Sequence, residues 1–214
     1  MLREARPIDP LHDADVLPGE PIGQDFIAVG IIGSGAMGTV VLARETASGN
    51  PVAIKILRAH HLSNTEAVNR FLLEGEATQS LRNRHLARVL QVGRHLGRPF
   101  LVLEYLSGED LAARVDRGRV PLEIAALYVL QACVGMAEAH RAGVVHRDLK
   151  PSNLFLARDA MGGEMVKVLD FGIAKAADGM TEAGRRAMVQ TETLVAMGTP
   201  LYMSPEQIRS AKTV

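Results

Sequence analysis

The sequence predicts an α+β fold in two lobes: an antiparallel sheet carrying one helix over residues 26–106, then a mainly helical half over residues 107–214. Three observations predict it. Between Phe26 and Leu106, β-branched and apolar runs of strand length alternate with glycine and turn signals. A single segment of that stretch carries a helix-start signature. Beyond Ser107-Gly108 the dominant periodic signal is one long apolar helix.

The elements follow in order. Residues 1–25 hold four prolines and six acidic side chains with no period of 2 or 3.6, and read as a flexible leader. Ile27 to Val29 with Ile31-Ile32, Thr39 to Leu42 and Val52 to Leu57 read as strands, the last two joined across the turn signal Ser48-Gly-Asn50. Ser63 and Glu66 form a capping box, with Ser63 as N-cap, before a helix bearing Val68, Phe71, Leu72 and Leu81. Val89 to Val92 and Phe100 to Leu103 read as a hairpin around a Gly93 to Pro99 connection. Pro121 suits a first helical turn, the helix runs to about Arg141, and Gly143 stands where a C-terminal cap belongs. Gln131 and Glu138 interrupt that helix, which reads as a core helix rather than a membrane span. Val144-Val145, Leu154 to Leu156 and Val166 to Leu169 read as short strands.

Composition narrows the function. The chain has 24 basic and 24 acidic residues, so its formal net charge is zero, which argues against a generally basic nucleic-acid binder. Cys133 is the one cysteine, which excludes an intramolecular disulfide and fits a reducing, cytoplasmic compartment. No uninterrupted apolar run reaches the roughly 20 residues that span a bilayer.

Three constellations carry chemistry. Gly33-x-Gly35-x-x-Gly38 alone is a weak signal, shared with dinucleotide-binding folds. Those folds begin a helix inside the motif, whereas Thr39-Val-Val41 here is β-branched throughout and continues as strand. The glycines therefore suit a hairpin tip whose bare backbone lies over phosphates. Lys55, flanked by Ile54 and Ile56, is a charge inside an apolar strand and needs a carboxylate partner. Glu74 and Glu76 both compete for it, and spacing alone does not decide. In His146-Arg-Asp148-Leu-Lys150-Pro-Ser-Asn153, a carboxylate, a cation and an amide fall within six residues. Such a kit can accept a proton from an attacking hydroxyl, neutralise a moving phosphate and ligate a divalent ion. Asp170-Phe-Gly172 adds a hard-cation ligand after a strand.

Taken together, Gly33-x-Gly35-x-x-Gly38, Val52-Ala-Ile-Lys55, the helix glutamate, His146-Arg-Asp148, Asp170-Phe-Gly172 and Ser204-Pro-Glu206 resemble, in order and spacing, a bacterial member of the eukaryotic-type Ser/Thr protein kinases, over about residues 26–210. The resemblance implies a bilobal protein-kinase-like fold, ATP and Mg²⁺ as nucleotide and metal, and a protein Ser/Thr hydroxyl as acceptor. Ile32, Gly33, Ser34, Gly35 and Gly38 would cover the phosphates, with Val40 and Ala53 above the adenine. Lys55 would hold the α- and β-phosphates and pair with Glu74, in Arg70-Phe-Leu-Leu-Glu74. Glu104 and Leu106 would bond adenine through their backbones, behind a gatekeeper at Leu103. Asp148 would be the catalytic base, with Lys150 beside the transferred phosphate, and Asn153 and Asp170 would bind Mg²⁺. His146 would be structural, packing near Phe171. Residues 172–206 would form the activation segment, with Thr191 and Thr193 as candidate autophosphorylation sites opposite Arg147, and Thr199 bridging Asp148 and Lys150.

Three departures from the family pattern stand out. Thr78 replaces an apolar residue one turn after Glu74, which is expected to loosen the helix. Asn83-Arg84 replaces a common His-Pro. The chain ends at Val214, inside the second lobe, so the resemblance implies an incomplete lobe in which Leu127, Leu130 and Val134 lack their usual cover. Burying one such side chain is worth about 1.5–3 kcal/mol against a domain stability of about 5–15 kcal/mol. A truncated, catalytically weak or inactive nucleotide-binding fragment is therefore the alternative reading to an active kinase.

Overall fold

The computed structural model describes residues 16–35, 37–158, 162–171 and 200–205. It contains a six-stranded antiparallel sheet of order β1-β2-β3-β4-β6-β5 and a three-stranded antiparallel sheet of order β7-β8-β9. The first sheet is built from β1 (Pro21–Ile22), β2 (Phe26–Ser34), β3 (Gly38–Glu45), β4 (Pro51–Leu57), β5 (Val89–His95) and β6 (Arg98–Glu104). The second is built from β7 (Gly108–Asp110), β8 (Leu154–Arg158) and β9 (Glu164–Val168). Three α-helices accompany them: α1 (Thr65–Gln79), α2 (Leu111–Asp116) and α3 (Leu122–Arg141).

Strand β4 reads as a nearly unbroken apolar run because it is covered on both faces. Val52, Ile54 and Ile56 enter a cluster with Ile22, Phe26, Ala28, Val41, Ala43, Phe100 and Val102. Ala53, Lys55 and Leu57 alternate to the opposite face, where Leu57 packs with Val68 and Phe71 of α1 and with Leu101. Helix α1 lies close against β6: a Cβ added at Gly75 would meet Leu101 Cδ2 at 2.3 Å. That closeness sets how far Glu74, one residue earlier, stands from the sheet.

Several expectations are corrected. Residues 16–25 are not a leader: Ile22 is fully buried, and Pro21 and Ile22 pair with Ile27 and Phe26. Residues 1–15 lie outside the described residues. The N-cap of α1 is Asn64, not Ser63; its side chain accepts from the amides of Glu66 and Ala67. Glu66 is taken by an i,i+4 ion pair with Arg70 instead of completing a box. Leu81 falls after the helix and packs in the second core with Leu86 and Met136. The β5–β6 hairpin turns at Leu96-Gly97, both at positive φ, so β5 runs on through Gly93. A Cβ at Gly93 would meet the Phe100 ring at 2.5 Å, which explains a glycine inside that strand. Val144-Val145 is not a strand, while β7 and α2 had no periodic signal to announce them.

Helix α3 starts after Pro121 and ends with Gly143 at φ 76, as the cap signals predict. By length and composition it could cross a bilayer. Its Tyr128, Ala132, Met136 and Ala139 instead pack with Leu154, Leu156, Val166 and Val168. The two polar interruptions fasten it: Gln131 Oε1 accepts from the Val166 amide at 2.8 Å, and Glu138 accepts from the Arg82 amide at 2.8 Å and from Asn83 Nδ2 at 3.2 Å. Leu127, Leu130 and Val134, on the other side of the helix, are about half exposed.

Candidate active site

The glycine-rich segment is the tip of the β2–β3 hairpin. Gly33 pairs with Val40 and Ser34 with Thr39, next to a register shift between Ile31 and Gly33 that places Ile32 at a bulge. The Gly35 amide donates to the Gly38 carbonyl at 2.9 Å and closes the turn. The three glycines have different reasons to be there. A Cβ at Gly38 would lie 2.7 Å from the Ile56 carbonyl oxygen, so the neighbouring strand itself requires glycine. At Gly33 and Gly35 the nearest atoms lie at 3.6 and 3.8 Å, ordinary contacts, so no protein atom demands glycine there. Arg58 braces the tip from the end of β4: its Nη2 donates to Ser34 Oγ at 2.6 Å and its amide to the Met37 carbonyl at 3.1 Å.

Beneath the tip, Lys55 stands on β4 directly across from Val40 on one side and Leu101 on the other. Ala53 is paired with Leu103 two residues along, so Val40, Ala53, Lys55 and Leu103 share one face of the sheet. The Lys55 ammonium donates to Asp170 Oδ1 at 2.8 Å and to Glu74 Oε1 at 3.4 Å. Glu74 is buried on α1, whereas its competitor Glu76 is exposed. Burial alone would pull the Lys55 pKa down; the carboxylates of Asp170 and Glu74 outweigh it and hold the pKa well above the ordinary lysine value. Burial likewise pushes the Asp170 carboxyl up, and the Lys55 ammonium more than reverses this, holding it below the ordinary aspartate value. The Asp170 side chain keeps 46% of its surface exposed, so it faces solvent as well as Lys55.

The second constellation sits on the loop before β8. Lys150 Nζ lies 3.1 Å from Asp148 Oδ2, a direct ion pair. Asn153 Nδ2 donates to the Asp148 carbonyl at 2.8 Å and to its Oδ2 at 3.1 Å. Both bonds use the amide nitrogen, so a cation would take the amide oxygen. Pro151 to Asn153 form one 3₁₀ turn with Lys150 at its N-cap, which stiffens the segment that carries Asn153. The Leu169 amide donates to the Asn153 carbonyl at 2.8 Å and so ties this loop to the residue before Asp170. His146 completes the tie. Its Nε2 donates to the Leu169 carbonyl at 2.8 Å, its Nδ1 accepts from the Asp148 amide at 3.3 Å, and its ring lies 5.0 Å from that of Phe171. Burial lowers its pKa, which keeps the imidazole neutral in that role. Two residues of this loop region adopt left-handed backbone, Arg147 at φ 60 and Asp170 at φ 41. Such conformations cost about 1–3 kcal/mol each and persist where the surroundings fix them.

The donor set suits one class of metal. Asp170 and Asn153 offer a carboxylate and an amide oxygen, and among the described residues no group of three or more His, Cys, Asp or Glu forms a closed cage. Mg²⁺ retains waters and shares phosphate oxygens with one or two protein oxygens, which this pair fits.

Glu104 ends β6, and Leu106 follows it in the segment that leads to β7. The Glu104 amide is committed to the Arg88 carbonyl at 3.0 Å. Its side chain has a partner that sequence reasoning missed, Lys167: Oε1 accepts from Lys167 Nζ at 2.6 Å and from the Arg88 amide at 2.9 Å. The signal was available, because Lys167 interrupts Val166 and Val168 as Lys55 interrupts Ile54 and Ile56. Thr78 is buried with its hydroxyl donating to the Glu74 carbonyl at 2.6 Å, so its polarity is satisfied inside α1. Thr191, Thr193, Thr199, Gly172 and Glu206 lie outside the described residues.

The protein kinase domain family matches residues 26–214. Serine/threonine-protein kinase Pkn1 of Myxococcus xanthus is 39% identical over 195 residues, covering 90% of this chain and 27% of that protein. Serine/threonine-protein kinase PknL of Mycobacterium tuberculosis is 34% identical over 207 residues, covering 96% of this chain and 47% of that protein. The chain thus spans roughly a quarter to a half of the length of these relatives. The crystal structure of the Mycobacterium tuberculosis PknI kinase domain superposes with a TM-score of 0.64 at 26% identity, covering 79% of this chain and 68% of that one.

Proposed function

The chain belongs to the protein kinase domain family, and from that premise we propose that it forms the nucleotide-binding and catalytic part of an ATP-dependent serine/threonine protein kinase acting in the cytoplasm. One observation carries the reading: a single ammonium, Lys55, is shared between the carboxylates of Glu74 and Asp170, which come from a helix 19 residues on and a loop 115 residues on.

In this reading Lys55 holds the α- and β-phosphates of ATP, and Glu74 fixes where Lys55 stands. Ile32, Gly33, Ser34, Gly35 and Gly38 lie over the phosphates. A Cβ at Gly33 or Gly35 would make only ordinary contacts with the described residues, so glycine at these positions suits a close approach by phosphate oxygens. Val40 and Ala53 cover the adenine, and the backbones of Glu104 and Leu106 hydrogen-bond it. Asp170 and Asn153 would hold Mg²⁺, which would supply charge neutralisation for the phosphates. Asp148 orients the acceptor Ser or Thr hydroxyl of a protein substrate and accepts its proton. The hydroxyl oxygen bonds to the γ-phosphorus while the bond from that phosphorus to the β,γ-bridging oxygen breaks, and ADP leaves. Lys150, ion-paired with Asp148, stands beside the transferred phosphoryl group. Autophosphorylation at Thr191 and Thr193 is part of the same proposal.

The test is phosphate transfer from γ-labelled ATP by the full chain. Transfer by the unmodified chain that is abolished in Asp148→Ala supports the reading. Nucleotide binding without transfer would leave a non-catalytic binding module, and no binding at all would remove both.

A further inference from the structure

Lys167 is a buried lysine that the proposed reaction does not use. Its side chain is 9% exposed and lies on β9, three residues before Asp170, in the second sheet. It reaches out of that sheet: Nζ donates to Glu104 Oε1 at 2.6 Å and to the Leu86 carbonyl at 3.4 Å. Glu104 closes the last strand of the first sheet. The ion pair therefore spans from one sheet to the other, at the residue where the chain crosses between them.

What the pair fixes is the main chain of Glu104. Residue 104 is held to Arg88 by two bonds of opposite sense, its own amide to the Arg88 carbonyl at 3.0 Å and the Arg88 amide to its Oε1 at 2.9 Å. Lys167 is the second donor to the same carboxylate oxygen, and the third contact on the residue. The segment that receives these bonds is itself pinned to β9: Leu86 bridges Val168, the Ala87 amide donates to the Val168 carbonyl at 2.9 Å, and the Val168 amide donates to the His85 carbonyl at 2.8 Å. A charge-assisted bond made away from bulk water is a strong, directional restraint. Removing its cation leaves the half-buried Glu104 carboxylate with one donor, the Arg88 amide, and free to draw toward water.

We propose that Lys167 is a positioning residue for the adenine end of the nucleotide site: by holding the Glu104 carboxylate it fixes the Glu104 main-chain carbonyl in the direction from which adenine is bonded. This rests on the reading of the site as an ATP site. It assigns no contact between Lys167 and the nucleotide, so the effect must be specific to the base and absent for the phosphates alone.

Calorimetric titration of the full chain separates the possibilities. The ligands are Mg-ATP and Mg-tripolyphosphate, with the unmodified chain, Lys167→Met, Glu104→Gln and the double variant, each checked for folding by circular dichroism. Each single substitution is expected to raise the ATP Kd about tenfold, the double variant to raise it no further, and the tripolyphosphate Kd to stay put. Equal weakening of both ligands, or an unchanged ATP Kd in folded variants, overturns the inference and leaves the pair a purely structural contact. If the unmodified chain binds neither ligand, the ATP-site reading fails and the inference falls with it. Should Lys167→Met not fold, Glu104→Gln, which keeps shape and the bond from Arg88, decides alone.

Discussion

Two lysines sit in two apolar strands, and their surroundings differ in a way that separates a ligand site from a fastening. Lys55 on β4 faces two carboxylates, Glu74 and Asp170, so the cluster carries one negative charge in excess, and Asp170 is nearly half exposed. Lys167 on β9 faces one carboxylate, Glu104, and a carbonyl, with the lysine itself closed off. The Lys167–Glu104 pair is balanced within itself and is further bonded by main-chain groups. An unbalanced, partly open one is short of cation and suits a divalent ion with phosphates around it. Between these two strand lysines burial and ion pairing are shared, and the charge sum and the open side differ.

The largest effects are expected at Asp148 and at the unbalanced Lys55 cluster. Asp148→Ala is expected to lower phosphate transfer by about 10²–10⁴-fold while leaving the ATP Kd within about twofold, as filter-bound transfer and calorimetry would read. Lys55→Ala should abolish transfer and also weaken ATP, because it leaves Glu74 and Asp170 facing each other without a cation. If Lys55→Ala transfers phosphate normally, the contrast between the two lysines collapses.

A smaller effect tests the helix that carries Glu74. Gly75→Ala drives a methyl into Leu101 and is expected to cost about 1–3 kcal/mol in denaturant unfolding, and to raise the ATP KM as Glu74 moves away from Lys55. Asn64→Ala removes the cap of the same helix at about 1 kcal/mol, with no shift of Glu74 and so no change in KM.

The smallest effects are those of pH. Asp170 sits below its ordinary value of 3.8, so its contribution to stability is present above that value and is lost as pH falls through its folded pKa. Lys55 sits above 10.5, so its contribution is intact below that value and lost only at higher pH. Between the two, the Lys55 cluster gives a flat profile. His146 has a lowered pKa, so the unfolded chain binds its proton more readily, and stability should fall as pH drops below about 6.5. His146→Gln is expected to flatten that slope in unfolding titrations between pH 8 and 5, at a lower overall stability.

Much of the first sheet was legible because β4 and β6 are apolar on both faces and their turns are marked by glycine. Ile22 was not, because a two-residue strand carries no period and its pairing with Phe26 becomes visible only once β2 exists. Ser63 and Asn64 are both good caps in adjacent positions, and only the φ of 64 decides between them. Glu74 over Glu76 needed the helix phase relative to β4, which the tight contact at Gly75 sets. Lys55, Asp148, Asn153 and Asp170 were legible as chemistry in an order, while Lys167 was passed over because its partner lies in another sheet, 63 residues away.

The outer edge of β9 is closed to a further strand. An exposed edge strand offers its amides and carbonyls as a template on which another chain can extend the sheet. Here the Val166 amide is taken by Gln131 and its carbonyl by His85 Nδ1, while the Val168 amide and carbonyl are taken by His85 and Ala87. A border of the smaller sheet is thereby sealed by one helix side chain and one passing loop, so intermolecular strand addition, the usual first step toward fibrils, finds no vacant partner along Val166 to Val168.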